Sequence, residues 1–225
     1  MTAITLASEM IATLPVGHPG LYNPWRETCV HDTPDNGPEA RTERLAAHLD
    51  CPHPRALLIG EAPGYQGCRY SGVAFTSERL LLEGAIPRIA APAGRLTTRL
   101  LPFSEPSATI VWKTLYAQGL AESVILWNAV QLHPHRLDAH WTNRTPTPEE
   151  VALGRPGLEV LRAAFPEVPI LAVGQKAAWL LEAMGLPVAA VLRHPANGGA
   201  TAFRAGLAEW NGGAGQYPCP KISSK

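Results

Sequence analysis

Four short apolar runs, partly β-branched, punctuate the chain at residues 55–59, 123–127, 168–173 and 188–192, and each ends in Gly, Asn or a His-Pro break. Runs of this length and composition with no polar alternation predict strands buried on both faces. Between them lie segments with helical spacing at residues 39–49, 77–83, 107–118, 148–165 and 176–184, and a last one at 200–210. Thr147-Pro148-Glu149-Glu150 is the clearest helix start, with a hydroxyl N-cap, a proline in the first turn and acids at the positive end of the helix dipole. Ser77-Glu78 is a weaker one. Helices alternating with apolar strands predict an α/β fold, a three-layer α/β/α sandwich around a central four-stranded parallel sheet.

Two Pro-rich connections, 85–106 and 133–146, are too irregular for regular structure and are candidate functional loops. Residues 1–35 read as an arm or cover and 211–225 as a tail, within one domain spanning 1–225. No apolar run reaches membrane-spanning length and the start lacks the basic and apolar regions of a signal peptide, so a soluble, cytoplasmic monomer is expected.

Composition adds a constraint. The 19 Lys+Arg cancel the 19 Asp+Glu, so no net field steers the molecule toward a polyanion, and any nucleic-acid contact has to be local. Cys29, Cys51, Cys68 and Cys219 are scattered without a CxxC pair, the pattern of free thiols. His133, His135 and His140 suggest ligands at first sight, but no acidic or thiol partner stands at ligand spacing. No metal and no cofactor are expected; His133, His135 and Arg136 are read instead as phosphate or base contacts at a rim. Trp112, Trp127, Trp179 and Trp210 fall on patterned segments and read as core.

Ligands of open parallel sheets bind beyond the carboxyl ends of the strands. There the chain carries Gly60-Glu61-Ala62-Pro63-Gly64, Asn128, Gly174-Gln175 and Arg193-His194-Pro195, with Gly72-Val73-Ala74-Phe75 downstream of the first. These ordered motifs resemble those of the uracil-DNA glycosylase superfamily, nearest the family-four type, from about residue 55 to 210. The Thr-Pro-Glu-Glu helix start belongs to the same resemblance. Two departures stand out. Leu132 lies about where that type has a cysteine of its iron-sulfur cluster, and the acidic run that follows the first loop there is here Tyr65-Gln66-Gly67-Cys68-Arg69-Tyr70. The second leaves Glu61 as the motif's one carboxylate.

The resemblance implies DNA containing a deaminated base as partner, and hydrolysis of the bond joining base and sugar. That chemistry needs a pocket for the flipped base, stabilisation of a cationic sugar and an anionic base, and a positioned water. Glu61 can take a proton from that water, although alone it reads as an acid capping a turn. Gly60 and Gly64 permit positive φ and close approach of the backbone to the ligand, with Ala62 between them and Pro63 stiffening the loop. Where some relatives place a bulky Tyr near Gly64 to exclude the thymine methyl, a Gly implies a roomier pocket. Phe75 resembles the aromatic on which the base stacks; by pattern alone it is equally a core residue. Asn128 offers a donor and an acceptor to the edge of uracil, or else closes its own turn. His194 is expected to donate to the base and stabilise its anion. Arg193, Pro195, Asn197, Gly198 and Arg204 are expected to meet DNA, the flexible Asn-Gly backbone near a helix start suiting phosphate. No lysine stands in a motif, which argues against Schiff-base chemistry. Two other readings stay open: a protein that binds damaged or single-stranded DNA without turnover, and a hydrolase of free nucleosides or nucleotides.

Overall fold

The computed structural model describes residues 1–213. Strands β2 (Ala56–Gly60), β3 (Val124–Asn128), β5 (Ile170–Val173) and β6 (Ala190–Leu192) form a parallel sheet in the order β3-β2-β5-β6. Its two central strands are fully buried, as their unbroken apolar sequences require. Leu57 and Ile59 face one layer with Ile125, Trp127, Ile170 and Ala172; Ala56 and Leu58 face the other with Val124, Leu126, Leu171 and Val173. Helices α1 (Ala3–Ala12), α2 (Pro38–Leu49), α6 (Pro148–Ala164) and α7 (Gln175–Ala183) contribute to the first layer. The short α4 (Glu78–Leu82), with α5 (Pro106–Ala117) and α8 (Ala200–Gly213), packs on the second. This is the expected three-layer sandwich.

Each of the four strands lies where an apolar run stands, with β2 and β3 reaching one residue further so that Gly60 and Asn128 pair across the ladder. The capping box at α6 forms as its sequence predicts: Thr147 Oγ1 accepts from Glu150 N, and Glu150 Oε2 accepts from Thr147 N at 2.8 Å. Ser77 opens α4 without a side-chain cap. Of the four tryptophans expected in the core, Trp112 and Trp127 are buried and Trp210 is partly so. Trp179 is 60% exposed, because it lies on the outer face of α7. The thiol of Cys219 lies outside the described residues.

The first 35 residues are more ordered than an arm. Helix α1 lays Leu6, Ala7, Met10 and Ile11 into the first layer. A two-residue strand β1 (Leu21–Tyr22) pairs antiparallel with β4 (His133–Pro134), tying this segment to the loop after β3. Trp25 packs 5.2 Å from Trp127 and donates from Nε1 to the Gly72 carbonyl. The fully buried Arg41 on α2 gathers the segment, pairing with Asp32 at 2.9 Å and donating to the carbonyls of Pro24, Glu27 and Asn36. At Gly72 (φ 75°) a Cβ would stand 2.7 Å from Arg41 Cβ, so both the left-handed turn and the close helix require glycine. No helix among the described residues is long and apolar enough to cross a membrane.

Candidate active site

The carboxyl ends of the strands open into a cavity of about 220 Å³. Glu61, Pro63, Gly64, Phe75, Asn128 and His194 line it, with Ala62 beside them. The volume lies below the ~300–1,000 Å³ of drug-sized sites and suits one ring system. The loops that carry these residues are fastened to each other, since Ala129 N donates to the Gly60 carbonyl and Val130 N to that of Glu61. From outside, α6 presses on the same loop: a Cβ on Gly154 would meet the Ala129 carbonyl oxygen at 2.1 Å.

Gly60, expected to meet the base, is not among the residues lining the cavity; it pairs with Asn128 in the sheet. A Cβ there would sit 2.7 Å from both Asn128 Oδ1 and the Phe75 ring, so the missing side chain lets amide and aromatic converge. Neither Gly60 nor Gly64 adopts the positive φ that glycine permits, and close approach alone accounts for Gly60. Phe75 does adopt it, at φ 50°, which is rare for a bulky residue and is a form of strain that clusters at functional sites. Trp112 Nε1 holds the conformation by donating to the Phe75 carbonyl at 3.0 Å. The Asn128 side chain, though buried, makes no hydrogen bond to the protein among the described residues, so the turn-closing alternative finds no bond to support it. An amide buried in an interior needs partners, and here only a ligand or solvent in the cavity can supply them.

Glu61 is half-buried, and burial raises its carboxyl above the ordinary range while the nearby Lys176 ammonium lowers it. Lys176, which no motif marks, stands 3.6 Å from Glu61 and also donates to Thr145 Oγ1. The His194 ring lies 6.2 Å from the Phe75 ring. Ala196 N can only donate, so His194 Nδ1 accepts and the neutral ring carries its proton on Nε2. Burial, helped by Arg193, lowers the histidine below its usual value and favours that neutral form. Room for the ring's loop comes from Gly174 (φ 99°) and Gly199, where added Cβ atoms would lie 3.1 Å from His194 Cβ and 2.0 Å from its carbonyl oxygen.

Sequence reasoning missed five wall residues: Cys68, Glu105, Pro134, Asn143 and Arg144. The two long loops supply the last four, and no periodicity marks them. Asn143 is oriented by a chain of donors. Arg69, buried with its guanidinium 3.6 Å above the Tyr22 ring, donates to His133 Nδ1, which fixes His133 as neutral with hydrogen on Nε2. That hydrogen is shared between the Thr142 carbonyl at 3.0 Å and Asn143 Oδ1 at 3.1 Å, and the Tyr65 N–H donates to the same Oδ1 at 2.8 Å, so the amide NH₂ is the end left for other partners. His133 is therefore not a rim contact: it is fully buried and its nitrogens are engaged. Burial and Arg69 push it down to about 3. His135 is buried too, its Nδ1 against the Arg136 carbonyl, and Arg136 pairs with Asp138 on the surface. Arg144 is held by Glu150 in a two-pronged ion pair at 2.6 and 2.7 Å.

Of the residues expected at DNA, Arg193, Asn197, Gly198 and Arg204 are exposed beside the cavity-lining His194 or on the following helix, and Pro195 is buried beneath them. Asn197 (φ 51°) and Gly198 (φ 75°) form a left-handed turn leading toward α8.

The residues do not fit an iron-sulfur cluster. Leu132 is packed in the apolar core, and burial raises the thiols of Cys51 and Cys68, the reverse of what thiolate ligands need. No group of three His, Cys, Asp or Glu among the described residues could hold a metal ion.

The family model of the uracil DNA glycosylase superfamily matches residues 47–211. A solved structure, that of wild-type Pedobacter heparinus SMUG2, superposes with a TM-score of 0.63 at 15% identity, covering 93% of this chain and 96% of that one. At that identity the likeness is one of fold. No curated protein matches the chain.

Proposed function

Given that the chain belongs to the uracil DNA glycosylase superfamily, we propose that it is a monofunctional DNA-repair glycosylase, releasing uracil or a related deaminated base from a nucleotide extruded from DNA. The observation that carries this reading is the unpartnered Asn128 amide, facing a ring-sized cavity between Phe75 and His194. An amide presents an acceptor to the N3–H of uracil and a donor to its O4, while Phe75 stacks on the ring, a contact of ~1–3 kcal/mol.

In the reaction, the bond between C1′ and the base nitrogen breaks and its electron pair leaves with the base. His194 Nε2–H donates to the base oxygen on which negative charge collects, a bond that strengthens toward the transition state. Water adds at C1′. Glu61 orients that water and takes its proton, and its carboxylate favours the positive charge on the sugar. The products are free base and an abasic site. Lys176 is hydrogen-bonded to Thr145 and paired with Glu61, so it is left out of covalent chemistry. Arg193, Asn197, Gly198 and Arg204 grip the phosphates around the extruded nucleotide, with Pro195 setting their loop.

The test is base release from oligonucleotides containing uracil, hypoxanthine or xanthine, single and double stranded. Release of at least one base, leaving abasic DNA, is expected. Binding without release would replace this reading with a damage-recognition protein, and release only from free nucleosides would replace it with a nucleoside hydrolase.

A further inference from the structure

Glu105 brings a second carboxyl group to the cavity wall, and within its own element only Ser107 bonds to it. It is the N-cap residue of α5, yet its side chain caps none of the helix N–H groups. Instead it turns toward the first loop, into space that exists because Gly67 has no side chain, with Gly64 alongside at ordinary contact distance. A Cβ on Gly67 would lie 1.9 Å from Glu105 Oε2, and one on Gly64 3.5 Å from Oε1. Gly67 stands in the stretch that replaces the acidic run of the similar family, so a carboxyl from α5 occupies the place that a side chain of that loop would fill. Among the described residues no cation lies within ion-pairing distance, and the one hydrogen bond is from Ser107 Oγ to Oε1, at 2.8 Å.

We propose that Glu105 is a specificity-determining residue that meets the extruded base as a neutral acid, its O–H donating to the carbonyl that deamination creates. The proposal rests on the glycosylase reading and deepens it. Ser107 fills the acceptor role of Oε1, leaving a proton on the other oxygen to be shared. Uracil O4, and O6 of hypoxanthine or xanthine, can accept it; the amino groups of cytosine and adenine at those positions cannot. As the glycosidic bond breaks, negative charge spreads to that carbonyl and the bond from Glu105 strengthens, with the proton staying on Glu105. A carboxylate there would repel the leaving anion. Burial without a compensating cation raises the Glu105 carboxyl, in keeping with the neutral form. The other charged or titratable groups around it are Glu61, Cys68, His194 and Arg144 on the cavity walls. Arg144 is taken up by Glu150, and Arg79 approaches only through Thr109, whose hydroxyl donates to the Glu105 carbonyl.

Single-turnover release from a uracil oligonucleotide across pH, in the full chain and in Glu105→Gln and Glu105→Ala, tests this. Gln keeps a donor and an acceptor but does not titrate. It should act near the parent rate at neutral pH and lose the alkaline fall in activity, whereas Ala should be slower by about 10²-fold, the effect of losing one such donor. An Ala variant as fast as the parent, a Gln variant as slow as Ala, or an unchanged alkaline limb in Gln would overturn the proposal. Melting temperatures report whether Ala folds; if it does not, the Gln profile decides. If the parent releases no base at all, the glycosylase reading fails separately. Calorimetric titration with free uracil then decides for Glu105: weaker binding in Ala with binding kept in Gln supports it, and equal binding in all three sinks it.

Discussion

At Asn128 an amide and a carboxylate differ by one donor, and that donor faces uracil O4 in the proposed site. Asn128→Asp should therefore lose uracil release by about 10²-fold or more, since a buried acceptor is set against an acceptor. Weak cytosine release is the accompanying gain, because a carboxylate accepts from the N4 amino group. Kinetics on matched uracil and cytosine oligonucleotides check both, and undiminished uracil release would remove Asn128 as the base reader. His194→Ala should slow release by about 10²–10³ with the melting temperature unchanged; equal turnover would remove it from the mechanism. Glu61, Asn128 and His194 were legible in the sequence because each ends or follows an apolar run, and parallel strands deliver such positions to one edge. Phe75 was legible as an aromatic near a glycine, but its left-handed backbone was not, since bulky residues seldom signal φ 50°. Glu105 and Asn143 come from irregular loops more than thirty residues apart, and only the folded chain brings them to one cavity.

Among the elements, the strands were readable because burial on both faces enforces an unbroken apolar run. Helix α1 carries an apolar stripe as well, with Leu6, Ala7, Met10 and Ile11 at helical spacing, yet residues 1–35 read as an arm or cover because no strand or motif in them ties the stripe to the sheet. Strands β1 and β4, two residues each, and the four-residue helix α3 (Cys68–Ser71) are too short for any period to show. Arg41 gathers the N-terminal segment beside the Gly72 turn, to which Trp25 also bonds, and this gives a test of the element. Arg41→Met keeps the stem but strands Asp32 and several carbonyls, so stability should drop by about 3–5 kcal/mol, the usual result of removing one partner from a buried pair. Urea unfolding measures it; a midpoint equal to the parent's would show that the segment is held by its apolar contacts alone.

For the molecule as a whole, the misfit of its thiols to a cluster predicts a colourless protein without iron, and absorption near about 400 nm with stoichiometric iron would contradict it. Acid should act through two buried histidines. Burial, with help from a neighbouring arginine in each case, pushes His48 and His133 from 6.5 down to about 3. Between those values the unfolded chain binds protons that the native one does not, so stability is full above pH 6.5 and declines as pH falls, by up to about 1.4 kcal/mol per pH unit for each group. Urea midpoints at pH 7.5 and about 4.5 should differ accordingly, and equal midpoints would show that neither ring is held neutral. His48 has a second task as long as its ring stays neutral. Its Nε2 accepts from Leu126 N at 2.8 Å, and Arg88 donates to the Val124 carbonyl at 3.0 Å, so two side chains cover the outer edge of β3. Only near and below about pH 3, where the native ring takes up its proton, does His48 cease to accept from Leu126, and the uncovered strand would then present its backbone to the same strand in another copy. Acidified solutions should thus turn cloudy in proportion to protein concentration, and the practical shelf life of the protein would be set at one edge of its sheet.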